Sequence, residues 1–147
     1  IRVENMVAQR EQLDNILGIV TLVLSVIAGI SLIVAGLSIM TVMLVSVSER
    51  TKEIGIKKSI GASKRKIMME FLTESFLISA IGSLTGLISG VLISVVGCAI
   101  FGMSPLLNHT MIFFSAFFAT ATGVLFGVYP AMQAAKLRPV DALRSEV

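Results

Sequence analysis

Charge is what this sequence most conspicuously lacks. Asp, Glu, Lys and Arg make up 14% of its 147 residues, against 55% hydrophobic, where an average soluble chain carries about 25% charged residues. The deficit is concentrated in two places. No charged side chain occurs over the 34 positions from Asn15 to Ser48, nor over the 61 from Ser75 to Ala135, a stretch interrupted only by His109. A membrane-crossing helix needs about 20 apolar residues, so the first run holds one span and the second holds two. A water-soluble globular domain is excluded, and an all-α polytopic membrane protein with three transmembrane helices is expected.

Other scarcities exclude chemistry. One cysteine (Cys98) and one histidine (His109) rule out a disulfide framework and a cysteine–histidine metal cluster. Cys98 reads as a small apolar filler and His109 as a solvated loop residue. The sequence has no HExxH zinc motif, no GxSxG nucleophile turn and no GxxxxGK[ST] phosphate loop. No catalytic, cofactor-binding or metal-ligating residue is therefore predicted, and any ATP chemistry belongs to another chain or region. No charge lies inside a span, which excludes an intramembrane proton relay, ion site or polar catalytic centre. The net charge of +3 and pI near 9.4 do not point to nucleic acid, because the basic residues flank the spans, where anionic lipid and topology account for them.

Val3, Met6, Val7, Leu13, Ile16 and Leu17 fall at helical spacing along the N-terminal stretch. No Pro or Gly intervenes before Gly18, so this stripe is expected to run straight into the first span. A helix over residues 1–47 would be about 70 Å long, of which the hydrocarbon takes about 30 Å; the remainder is a stalk. The chain starts at Ile1 without a signal-peptide pattern, and a missing N-terminal part is expected. The second span is placed at Phe76–Val96 and the third at Ile112–Tyr129, with breakers Gly97, Gly102, Pro105, Asn108 and His109 between them. Tyr129-Pro130 suggests a kink or stop, and Arg138-Pro139 opens a short tail helix with Asp141 near its N-terminus.

Segment 49–74 carries seven basic residues and the tail three more, while Arg2 and Arg10 are the only ones on the other side. The positive-inside bias then puts segment 49–74 and the C-terminus in the cytoplasm. Small residues recur at i+4: Gly82, Gly86 and Gly90 in the second span, with Ser75, Ser79 and Ser83 as a parallel row, and Ser115, Ala119, Gly123, Gly127, Ala131 and Ala135 in the third. Such rows let helix backbones approach closely in lipid. Gly82, Gly86, Gly90, Ala119, Gly123 and Gly127 are accordingly the candidate helix-packing positions.

Between the first two spans, Glu49 and Glu53 precede Lys52 and Lys57 in helix-supporting order. Gly61 suits a helix C-cap and Ser63 an N-cap for the next helix. A short mixed-charge helix held between two spans is a docking surface for a cytosolic protein.

The stretches MTVMLVSVSERTKEIGIKKSIGA (Met40–Ala62), FLTESFLIS (Phe71–Ser79) and GVLFGVYPAMQAAKLRPVDALR (Gly123–Arg144) resemble the FtsX-like permease family, and within it the permease part of MacB-type ABC transporters. The resemblance covers nearly the whole chain in order. It implies one permease domain over residues 1–147: stalk and first span 1–47, cytoplasmic coupling segment 48–63, second span 64–97, outer loop 98–110, third span 111–137 and cytoplasmic tail 138–147. It further implies a prokaryotic cell-membrane protein that pairs with a second permease as a homodimer or heterodimer, binds an ATP-binding subunit and works with an outer partner protein. ATP would sit on the ATPase and no cofactor in this chain. Docking would fall to Glu49, Arg50, Thr51, Lys52, Glu53, Ile54, Gly55, Ile56, Lys57, Lys58, Ser59, Ile60, Gly61 and Ala62. Arg50, Lys52, Glu53, Lys57 and Lys58 would make polar contacts there, and Ile54, Ile56 and Ile60 apolar ones, while Gly55 and Gly61 would allow close backbone approach. The implied activity is mechanotransmission: the ATPase moves the long helices, which rearrange outer domains to export or extract a substrate. The alternative is a non-transporting signal relay that regulates cell-wall hydrolases.

Overall fold

Five helices account for nearly all of the computed structural model, which describes residues 1–144; the last three positions of the tail lie outside the described residues. They are α1 (Arg2–Glu49), α2 (Thr51–Ser59), α3 (Lys64–Ile100), α4 (His109–Lys136) and α5 (Pro139–Arg144), and no strand occurs among the described residues. Three of them, α1, α3 and α4, are long and apolar enough to cross a membrane. The all-α, three-span reading therefore holds.

The chain divides into two units, Ile1–Val34 and Ala35–Val147. The first is α-helix from Arg2 onward, continuous through Gly18 and Gly29. Its apolar stripe of Val3, Met6, Val7, Leu13, Ile16 and Leu17 is exposed. The second unit holds the rest of α1 and the four other helices.

Within that unit α3 and α4 pack antiparallel, and the contact is built from small residues. A Cβ added to Gly127 would lie 2.3 Å from Ser75 Oγ and 2.4 Å from Ser75 Cβ; one added to Gly123 would lie 2.3 Å from Ser79 Cβ. One step further along, Ser83 Oγ and Thr120 Oγ1 share a hydrogen bond of 3.0 Å. The serine row Ser75–Ser79–Ser83 is thus the face α3 turns to α4. Burying serine is tolerable because each hydroxyl donates to its own helix: Ser75 to Leu72 O at 2.9 Å, Ser79 to Ser75 O at 2.6 Å and Ser83 to Ala80 O at 3.0 Å. The Ser75 and Ser79 hydroxyls are satisfied by their own helix, so these two residues act as slightly larger alanines.

Gly82, Gly86 and Gly90 behave differently. A Cβ on any of them would meet nothing within 4 Å among the described residues, so within this chain the neighbouring serine row does the packing. Gly123 and Gly127 are buried in the contact and Ala119 is half-buried at its edge. The last stretch of α1 joins the same bundle: Gly36 is buried under the Phe126 ring, and Ile39 reaches Gly123.

The helix ends follow local chemistry. Gly61, at φ +103°, closes α2: its N–H donates to Lys58 O and the Ala62 N–H to Lys57 O, each at 3.0 Å. Gly102, at φ +66°, closes α3 the same way, donating to Ala99 O while the Met103 N–H donates to Cys98 O. Both are Schellman turns, where a left-handed residue satisfies the last free carbonyls and glycine adopts that conformation without a Cβ penalty. Ser63 caps α3 by accepting from Lys66 N at 3.3 Å, and Asn108 caps α4 by accepting from Thr110 N at 3.0 Å.

Two boundaries differ from expectation, and of the kink or stop expected at Pro130 the stop does not occur. Gly97 lies inside α3, which runs to Ile100. His109 is the first residue of α4 and not a loop residue, though it stays exposed. Pro130 does not stop α4, which continues to Lys136. Proline removes one backbone donor, but Pro130 is fully buried beside Ala131 and Ala134 in the bundle, and packing carries the helix across the lost bond. The helix ends instead at Leu137, two residues before Pro139.

Candidate docking site

The core of the second unit lies at the end where α2 and α5 sit. Met43 and Val47 from α1, Ile54 from α2, Ile67 and Phe71 from α3, and Ala131 and Ala134 from α4 form one buried cluster. α2 thus reaches the core through a single side chain, Ile54, which is 3% exposed. Its entry from α1 is tight. Only Arg50 separates the two helices, the Arg50 N–H donates to Ser46 O, and Ile54 N–H to Arg50 O, both at 3.0 Å. Thr51 Oγ1 adds bonds to Val47 O at 3.0 Å and Ser48 O at 2.8 Å.

One flank of α2 faces α3 through ion pairs. Lys57 Nζ lies 2.7 Å from Glu70 Oε1 and 3.4 Å from Glu53 Oε1, and Arg50 lies 3.6 Å from Glu74 and 3.9 Å from Glu53. The hydrogen bond to Glu70, together with the charges of both carboxylates, raises the Lys57 ammonium above the ordinary lysine value against a smaller opposing effect of burial. All these side chains are substantially exposed, so each pair contributes under about 1 kcal/mol. The cleft they line with Ile54, Ile67 and Phe71 has a volume of about 10 Å³, room for about one water. This flank is a packed joint.

The other flank faces α5. Gly55 is buried, and a Cβ there would stand 2.6 Å from Ala142 Cβ. Lys58 Nζ donates to the carbonyls of Ala135 and Leu137 at the end of α4. Burial lowers its ammonium from the ordinary lysine value, with the nearby Lys64 charge acting in the same direction.

The fourteen residues of the expected docking segment thus divide. Ile54 belongs to the core and cannot be an outward contact. Gly55 does permit close approach, but of α5. Gly61 serves the turn that its positive φ demands. Arg50, Glu53 and Lys57 are engaged with one another and with α3, and Lys58 with α4. The side facing away from these partners carries Ile56, 45% exposed, and Ile60, 82% exposed, alongside Glu49, Lys52 and Ser59; Thr51 and Ala62 are half-buried. Sequence reasoning missed Glu70, Glu74 and Ala142 as partners of α2. The two glutamates at i+4 on the first turns of α3 were the available signal; nothing local pointed to Ala142.

Three helices long and apolar enough to cross a membrane, with a short charged helix between the first two, make this a multi-pass membrane protein. Residues 16–139 match the model of the FtsX-like permease C-terminal family, and the chain belongs to that family. It is 42% identical over 142 residues to the macrolide export ATP-binding/permease protein MacB of Bdellovibrio bacteriovorus, covering 97% of this chain and 22% of that protein. It is 41% identical over 145 residues to the uncharacterized ABC transporter permease YknZ of Bacillus subtilis, covering 99% of this chain and 36% of that one. To the uncharacterized ABC transporter permease YvrN of the same organism it is 45% identical over 125 residues, covering 85% and 31%. The chain spans about a fifth to a third of the length of these curated relatives.

Proposed function

We propose that this chain is the transmembrane permease part of an ABC transporter, itself without catalytic residues or cofactor, that receives the ATPase at α2 and passes its movement to the far side of a prokaryotic cell membrane. The observation that carries the reading is the exposed pair Ile56 and Ile60 on a helix otherwise anchored on both flanks. An isolated topology signal needs no such anchoring, whereas a surface that is pushed must not yield. The names of the relatives, which pair permease with ATP-binding functions or with ABC transport, support an ATP-binding partner. Ten basic residues at the α2 end and tail against two at the other side support a cytoplasmic α2 and C-terminus. In this reading residues 48–63 are the coupling segment and α1 delivers motion outward, so that a substrate is exported or extracted with a second permease copy or a homologue as partner and an outer protein receiving the movement.

The test is Ile60→Glu, alone and with Ile56→Glu, in the intact transporter. Neither side chain packs in the core, so insertion and thermal stability are expected to be unchanged. Co-purification of the ATP-binding partner and permease-stimulated ATP hydrolysis should fall about tenfold, as for losing an apolar anchor in an interface. Full retention of both would remove α2 from the docking role. Substitution at Gly55 would not decide the matter, because it would displace α5 first.

A further inference from the structure

We propose that Lys58 is a positioning residue that latches the end of α4, and with it α5, to α2, so that the third span moves with the docking helix. The inference rests on the reading of α2 as the docking helix and extends it to a second helix. It begins with Pro139. In a continuing α-helix the Ala135 carbonyl would accept from the N–H of residue 139, and proline has none. The α4 terminus thus carries an acceptor that the i+4 pattern of its own helix cannot satisfy, and Lys58, 77 positions earlier, donates to it and to the Leu137 carbonyl as well. A cation is also favoured at this place by the partial negative charge of a helix C-terminus.

The latch differs from the other polar links of α2. The ion pairs to Glu70 and Glu74 are exposed and screened by salt, whereas Lys58 is half-buried and its acceptors are backbone atoms, which cannot change rotamer. Beside it, Gly55 admits Ala142 so closely that α5 seats directly on the α2 backbone. Lys58 and Gly55 together tie one nine-residue helix to the end of α4 and to α5. A displacement of α2 is then delivered along three routes: α1 by chain continuity, α3 by ion pairs and the Gly61 turn, and α4–α5 by Lys58.

Hydrogen–deuterium exchange on the intact transporter in lipid nanodiscs, with and without a non-hydrolysable ATP analogue, tests this. The variants are Lys58→Met, which keeps the stem and removes the donors, and Lys58→Arg, which restores donors. Without nucleotide, Lys58→Met should speed exchange in residues 138–144 about tenfold and leave residues 64–75 unchanged; Lys58→Arg should return it to the wild-type rate. With nucleotide, wild type should respond in both 51–59 and 131–144, and Lys58→Met in 51–59 alone. Unchanged exchange of 138–144 in Lys58→Met, or a nucleotide response in 131–144 that survives that change, overturns the latch while leaving the docking reading intact. If 51–59 does not respond to nucleotide in wild type, the docking reading fails, and the nucleotide-free comparison still decides the latch. Should Lys58→Met not insert, Lys58→Gln, with one neutral donor on a shorter stem, carries the same comparison with a smaller expected rise.

Discussion

Replacing Gly127 by alanine adds one methyl group where the structure has no room for it. The new Cβ would stand 2.4 Å from Ser75 Cβ, while carbon atoms at optimal separation are about 3.5–4.0 Å apart. The two helices must therefore separate locally by about 1 Å. Ser75 Cβ, whose position is fixed by the backbone, is what obstructs the methyl, so no rotamer change relieves it. Overpacking of this kind costs about 1–3 kcal/mol, and the better helix propensity of alanine returns about 0.8–1 kcal/mol, leaving a net loss of up to about 2 kcal/mol. That lowers the folded-to-unfolded ratio by up to about 30-fold. The assay is denaturant titration in bicelles, following energy transfer between dyes on α3 and α4. Two comparisons make it specific. Gly86→Ala, where nothing lies within 4 Å of the added atom among the described residues, should be neutral or stabilising. Ser75→Gly combined with Gly127→Ala takes the Cβ off one helix and puts one on the other, and the pair should recover at least about 1 kcal/mol relative to the sum of the single changes. Equal cost for Gly86→Ala and Gly127→Ala, or additivity of the pair, would refute the assignment of the α3–α4 contact to the serine row.

Gly61→Ala forces a side chain onto a residue at φ +103°; it should destabilise by about 1–2 kcal/mol, read in the same titration, with Gly61→Asn less costly. Glu70→Gln weakens the 2.7 Å contact to Lys57; the loss should stay under about 1 kcal/mol and vanish in high salt. Because the Lys57 ammonium is raised in the folded state, its contribution is complete below the ordinary lysine range and is lost only as pH rises through and above it. The difference between Glu70→Gln and wild type should therefore be flat across neutral pH and disappear in alkali.

What sequence reasoning recovered is what local chemistry controls. The 34- and 61-residue charge gaps gave three spans because lipid leaves no alternative for a long apolar run. Gly61, Ser63 and Pro139 marked turns and caps because each residue type has a short list of backbone roles. The failures share another cause. Ile54 and Ile56 are the same residue two positions apart on one helix, pointing to opposite sides; which one is core depends on where α3 and α5 lie, and no local pattern carries that. The glycine and serine rows of α3 are equally small and equally spaced, so spacing says that a helix can come close and not along which row. Lys58 and Ala142 acquire their roles from partners 77 and 87 positions away, beyond the reach of periodicity.

The inward loops of hydrogen bonding along Ser75 and Ser79 have a mechanical corollary. Those hydroxyls spend their donors on the turn before them, so peeling α3 from α4 leaves both donors paired; Ser83 with Thr120 is a stitch that crosses the seam among the described residues. Such a joint resists compression through steric contact yet yields to shear without an electrostatic toll, as a dry bearing does.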